Sequence, residues 1–100
     1  MKKLNSINRV SRLSIPILKR NGVISAALFG SFVRSDDSID SDVDFLLEYQ
    51  DGVSLFDVAE LKRELEAKLG RKVDLVSLKY LNKRIREYEI FRLPIEADSQ

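Results

Sequence analysis

Residues 23–49 read VISAALFGSFVRSDDSIDSDVDFLLEY, and the fold turns on how this stretch divides. Val23 to Phe29 is a compact apolar run that stops at a glycine, the pattern of a largely buried strand. Asp42 to Tyr49 (DVDFLLEY) alternates at its start and then becomes apolar, which predicts a second strand. Between the two, Gly30-Ser31 opens a turn, FVR predicts a short helical turn, and an acidic loop follows. Five aspartates fall between Asp36 and Asp44, with no basic residue after Arg34 to balance them.

Outward from this centre the element types alternate. Ser14 to Arg20 (SIPILKR) predicts a helix with Pro16 in its first turn, stopped by Asn21-Gly22; whether helical structure also precedes it, around Leu4 to Leu13, is left open. Ser54, with Asp57 three residues on, predicts the N-cap of a helix from Leu55 to Leu69. Its apolar face is Leu55, Val58, Leu61, Leu65 and Leu69, and Gly70 is its stop. Lys72 to Leu78 (KVDLVSL) predicts a third strand, and Tyr80 to Phe91 a charged amphipathic helix. Pro94 closes regular structure, and EADSQ reads as a frayed tail. The order helix, strand, strand, helix, strand, helix predicts an α/β (α+β) domain, a small sheet covered on one side by helices. We divide it into a basic N-terminal segment (1–13), the domain proper (14–93) and a C-terminal tail (94–100).

Composition narrows the chemistry. With 100 residues and 44% apolar content the chain is one globular domain with a single modest core. It has no cysteine and no histidine, so thiolate and imidazole ligands and the usual general base are excluded, and any chemistry must run on carboxylates, hydroxyls, Arg and Lys. No apolar run approaches the roughly 20 residues of a membrane span, and MKKLNSINRV lacks the apolar middle of a signal peptide, so a cytoplasmic location is expected. The net charge of +1 hides a segregation: residues 1–34 carry seven bases and no acid, residues 35–51 seven acids and no base. No aromatic residues are interleaved with the N-terminal bases as a stacking platform would require, so direct nucleic-acid binding is not expected.

The strands sort the aspartates. Residues i and i+2 of an extended segment share a face, so Asp42 and Asp44 project together while Val43 and Phe45 enter the core. At roughly 7 Å along the strand, two such charges repel by about 2 kcal/mol at an effective dielectric near 20, a cost without structural benefit unless they share a cation. In KVDLVSL the same alternation turns Asp74 away from Val73 and Leu75. If that strand lies beside the second, Asp42, Asp44 and Asp74 converge on an oxygen-rich site suited to a hard divalent ion. A glycine step from strand to turn, as at Gly30-Ser31, offers backbone N–H groups and a hydroxyl to a phosphate; taken alone it is also what an ordinary turn looks like.

Taken together, Gly30-Ser31, ten intervening residues (32–41) and Asp42-Val43-Asp44 resemble the signature of the polymerase-beta-like nucleotidyltransferase superfamily. LFGSFVRSD, SDVDFLLEY and LGRKVDLVSL, in this order and spacing, resemble its minimal nucleotidyltransferase family over about residues 14–91. The resemblance implies the nucleotidyltransferase fold, with a small mixed sheet. It also implies that Gly30 and Ser31 hold a nucleoside triphosphate, that Asp42 and Asp44 coordinate Mg²⁺, and that Asp74 completes the metal site. Asp42, Asp44 and Asp74 are then the catalytic set, with two Mg²⁺ ions and ATP as substrate. Arg34 is either a phosphate contact or the salt-bridge partner of Asp36 and Asp37. The family further implies an antitoxin that transfers AMP to a tyrosine of a HEPN-domain ribonuclease toxin. The ending FRLPIEAD departs from the family's more usual glycine-containing one.

Two other classes compete. Asp40, Asp42, Asp44 and Asp51 match positions of a calcium-binding loop, but Phe45 stands where that loop needs a glycine. The other is a non-catalytic interaction module that neutralises a toxin by contact alone.

Overall fold

A computed structural model describes residues 2–30, 32–33, 42–77 and 90–95, with side chains in the first helix from Ser6 onward. Ser31, Arg34, the acidic loop with Asp36, Asp37 and Asp40, most of the expected helix from Tyr80, and the tail from Glu96 lie outside the described residues.

Among the described residues, two helices and four strands follow in the order α1 (Lys2–Arg20), β1 (Val23–Phe29), β2 (Val43–Tyr49), α2 (Leu55–Leu69), β3 (Val73–Ser77) and β4 (Ile90–Leu93). The sheet order is β3-β2-β1-β4. β1 pairs antiparallel with both β2 and β4, and β2 pairs parallel with β3 through the α2 crossover, so the sheet is mixed as expected. Alternate strand residues, among them Ala26, Leu28, Val43, Phe45, Leu47 and Val73, join Ile7, Val10, Ile17 and Leu18 of α1 and Leu61, Leu65 and Leu69 of α2 in one core.

α2 has the expected bounds and caps. Ser54 Oγ accepts from Asp57 N–H at 3.2 Å, Asp57 Oδ2 accepts from Ser54 N–H at 2.9 Å, and Gly70 ends the helix in the left-handed region at φ +70°. The predicted apolar face is only partly buried. Leu61, Leu65 and Leu69 enter the core, but in the first turn of α2 Leu55 is 86% exposed and its neighbour Phe56 87% exposed.

Three further expectations need correction. The first helix does not begin near Ser14; it starts at Lys2, which places Pro16 in its interior and not in its first turn. An interior proline costs about 3 kcal/mol. The stripe Ile7, Val10, Ser11, Ser14, Ile17 and Leu18, spaced by threes and fours and buried throughout, offsets that cost by continuous packing. Secondly, Ile90-Phe91 does not end a helix but begins β4. There Phe91 and Leu93 reach the core side and the backbone covers the outer edge of β1. Finally, β1 is not a plain strand. Its register with β2 slips between Val23 and Ser25, leaving Ile24 39% exposed and letting both Val23 and Ala26 face the core.

Candidate active site

The register places the carboxylates. Asp44 is the Cα partner of Asp74 across the parallel β2–β3 pair and of Phe29 across the antiparallel β1–β2 pair. Val43 and Val73, one residue back on each strand, are buried in the core, so Asp44 and Asp74 share the opposite face. Asp42 is exposed just before β2, Asp44 is half-buried and Asp74 exposed.

Gly30 follows Phe29 directly and so lies beside Asp44. Its φ of +84° is one that L side chains rarely adopt, and a Cβ built there would collide with Asp44 Oδ2. Glycine at this position therefore has a reason that sequence reasoning missed: it makes room for the Asp44 carboxylate. Beyond it, Val33 N–H donates to Gly30 C=O at 3.0 Å, closing the turn expected after the glycine.

Burial, and after it the charges of Asp74 and Asp42, push the Asp44 carboxyl up to about 6 from 3.8. Half-burial disfavours its charged form first, and two neighbouring carboxylates add to that cost. Among the described residues no group of three His, Cys, Asp or Glu side chains is arranged to hold a metal ion as it stands. The chemistry of the donors nevertheless fits a hard divalent cation: Asp44 against the bare backbone of Gly30, Asp74 its partner on β3, and Asp42 two residues before Asp44 are all oxygen donors.

A second signal escaped the sequence reading. Cζ of Arg71 lies 4.9 Å from the centroid of the Phe32 ring, and Phe32 is wholly buried. Its only sequence trace is the Arg-Lys pair just before V-D-L-V. A groove of about 440 Å³ between α1 and α2, lined by Leu13, Pro16, Ile17, Arg20, Glu64, Ala67 and Lys68, contains none of the candidate residues. It is bridged by Arg20 and Glu64 at 2.8 Å, an exposed pair of little energetic weight. Among the described residues no helix is long and apolar enough to cross a membrane.

The sequence matches the family described as Polymerase beta, Nucleotidyltransferase over residues 14–93. The chain is 39% identical over 82 residues to the Methanocaldococcus jannaschii protein MJ0435, named provisionally as a protein adenylyltransferase; the match covers 82% of this chain and 88% of that one. It is 47% identical over 58 residues to the protein adenylyltransferase MntA of Thermococcus cleftensis, covering 58% of this chain and 59% of that protein. Among solved structures, a provisionally named minimal nucleotidyltransferase superposes with a TM-score of 0.71 at 36% identity, over 84% of this chain and 86% of that one. A chain of a toxin-antitoxin complex with AMP-PNP superposes at 0.72 with 23% identity, over 87% and 74%, a likeness that shows the fold alone. The family match runs through β1, the glycine turn and both aspartate strands, and a relative more than a third identical spans four-fifths of the chain. The protein belongs to the polymerase beta nucleotidyltransferase family.

Proposed function

We propose that this protein is a Mg²⁺-dependent protein adenylyltransferase, the antitoxin of a pair, which moves AMP from ATP onto a tyrosine hydroxyl of a HEPN-domain ribonuclease toxin. The observation that carries the reading is the placement of Asp44 beside Asp74 on neighbouring parallel strands, with the backbone of Gly30 against the Asp44 carboxylate. The names of its relatives, provisional for MJ0435, favour a protein acceptor.

In this scheme the Gly30-Ser31 turn holds the triphosphate through its backbone N–H groups and the Ser31 hydroxyl, and Arg34 is a further phosphate contact. Asp42, Asp44 and Asp74 would hold Mg²⁺, as two ions. Bound there, magnesium supplies neutralisation of the triphosphate charge and a more acidic acceptor hydroxyl. The acceptor oxygen forms a bond to the α-phosphorus, the bond from that phosphorus to the bridging oxygen breaks, and pyrophosphate departs with the electron pair. In the same scheme Asp74, exposed beside Asp44, receives the hydroxyl proton. Positioning and charge neutralisation do most of the work, which is how a chain without histidine can catalyse the transfer. The reaction belongs in the cytoplasm, where ATP and a ribonuclease toxin meet.

Mass spectrometry of a co-expressed HEPN-domain partner tests the proposal. The partner should gain one or more AMP units with the wild-type protein and none with Asp74→Asn, while Asp74→Asn still binds ATP. A partner that is neutralised but never modified would overturn the enzymatic reading in favour of an interaction module.

A further inference from the structure

Residues 71–74 run from the glycine turn, past the start of β2, to Asp44. Arg71 stacks on Phe32 of the glycine turn, with Cζ 4.9 Å from the ring centroid. Lys72 C=O accepts from Val43 N–H at 3.0 Å, between the two aspartates of β2. Asp74 stands beside Asp44. Phe32 is 0% exposed in the core, two residues beyond Gly30, and Val33 N–H is bonded back to Gly30 C=O, so the ring cannot shift without carrying the turn with it. A flat guanidinium matches an aromatic face better than an ammonium does, and the stack bridges a segment that leads into β3 and a turn that leaves β1.

We propose that Arg71 is a positioning residue for the nucleotide: through Phe32 it holds the Gly30–Val33 turn in place against the strand that carries Asp74. It acts through the turn, because its head group lies over Phe32, a member of the core on the helix side of the sheet, whereas Asp44 and Asp74 face the other way. The inference rests on the reading of that turn as the triphosphate grip.

Calorimetry with Mg-ATP and steady-state transfer kinetics test it together. Arg71→Met keeps an unbranched stem and removes the planar cation; it should weaken ATP binding and raise KM by about threefold to tenfold, the range a partly desolvated cation–π contact spans. kcat should stay within about twofold, since the reacting carboxylates are untouched. Arg71→Lys, which keeps the charge but not the plane, should recover part of the loss. Phe32→Leu should weaken binding similarly, and the double variant should lose less than the product of the two single losses, because the two changes share a contact. If Phe32→Leu does not fold, the Arg71→Met and Arg71→Lys pair decides.

ATP binding by Arg71→Met equal to wild type would overturn the proposal, as would a fall confined to kcat or effects of the two changes that multiply. If the wild-type protein itself does not bind Mg-ATP, the nucleotide reading fails and this role fails with it. If wild type binds and Arg71→Met binds equally, only the role of Arg71 fails.

Discussion

Replacing Asp44 with asparagine should make the metal-free protein more stable at neutral pH, an unusual outcome for a half-buried position in a central strand. The Asp44 carboxyl is raised from 3.8 to about 6, first by burial and then by Asp74 and Asp42. A carboxyl whose pKa is higher in the folded state holds its proton more tightly there. Stability therefore falls as pH rises through the window from about 4 to about 6, and the full cost stands above it. Converted at about 1.4 kcal/mol per tenfold, the shift sets a ceiling of about 3 kcal/mol. Because the side chain is partly open to water, screening lowers the expected cost to about 1–2 kcal/mol. Asparagine keeps the shape and removes the charge, so Asp44→Asn should melt roughly 5–10 °C above wild type near pH 7.5 in the presence of a chelator. Near pH 4, where most of the penalty is already relieved, the difference should shrink toward zero. Mg²⁺ should raise the wild-type midpoint and leave that of Asp44→Asn almost unchanged. Thermal melts by circular dichroism at both pH values decide the matter. Equal midpoints near pH 7.5, or a gain of the same size at both pH values, would show that no charge penalty resides at Asp44.

Gly30→Ala should destabilise by more than the roughly 1 kcal/mol that alanine costs at a positive φ, because its Cβ meets the Asp44 carboxylate; in an Asp44→Ala background the excess should vanish, measurable as coupling in a double-mutant cycle by urea denaturation. Ser54→Ala, which removes one side of a complete capping box, should cost about 1 kcal/mol in the same assay. Leu65→Ala, at a position of α2 with no exposure, should cost 2–5 kcal/mol, roughly, and lower the midpoint by more than any change at the aspartates.

How far the sequence reaches depends on how local the deciding signal is. α2 was legible to the residue because Ser54, Asp57 and Gly70 act within one turn of its ends. β2 and β3, and the shared face of Asp44 and Asp74, followed from period-two alternation once parallel pairing was supposed. The sequence starts α1 too late because Pro16 is best tolerated in a helix's first turn, whereas the signal that overrides it is a buried stripe in which Ser11 and Ser14 look polar on paper. β4 was misread because Ile90 and Phe91 continue a helical apolar spacing; only pairing with β1, a partner some 60 residues earlier in the chain, makes them a strand. The exposure of Leu55 and the Arg71–Phe32 stack were not legible, since both depend on where distant elements sit and not on any spacing within one segment. Ser31 and Arg34, named from the sequence, lie outside the described residues.

The distribution of unfavourable features along the sheet is itself informative. A positive φ, a bare backbone against a carboxylate and a raised carboxyl all fall at one end of β1 and β2, on the face turned away from the helices. At the opposite end of β2 and along α2 the caps, the turn and the packing agree with local preference. Like charge gathered at one corner, over a core that does not need it, is what a site selected for binding looks like, because selection for stability alone would have removed it. The same separation is why neutralising Asp44 should raise stability while trimming Leu65 should lower it: one residue lies on the open face of the sheet, the other in the packing of the closed one.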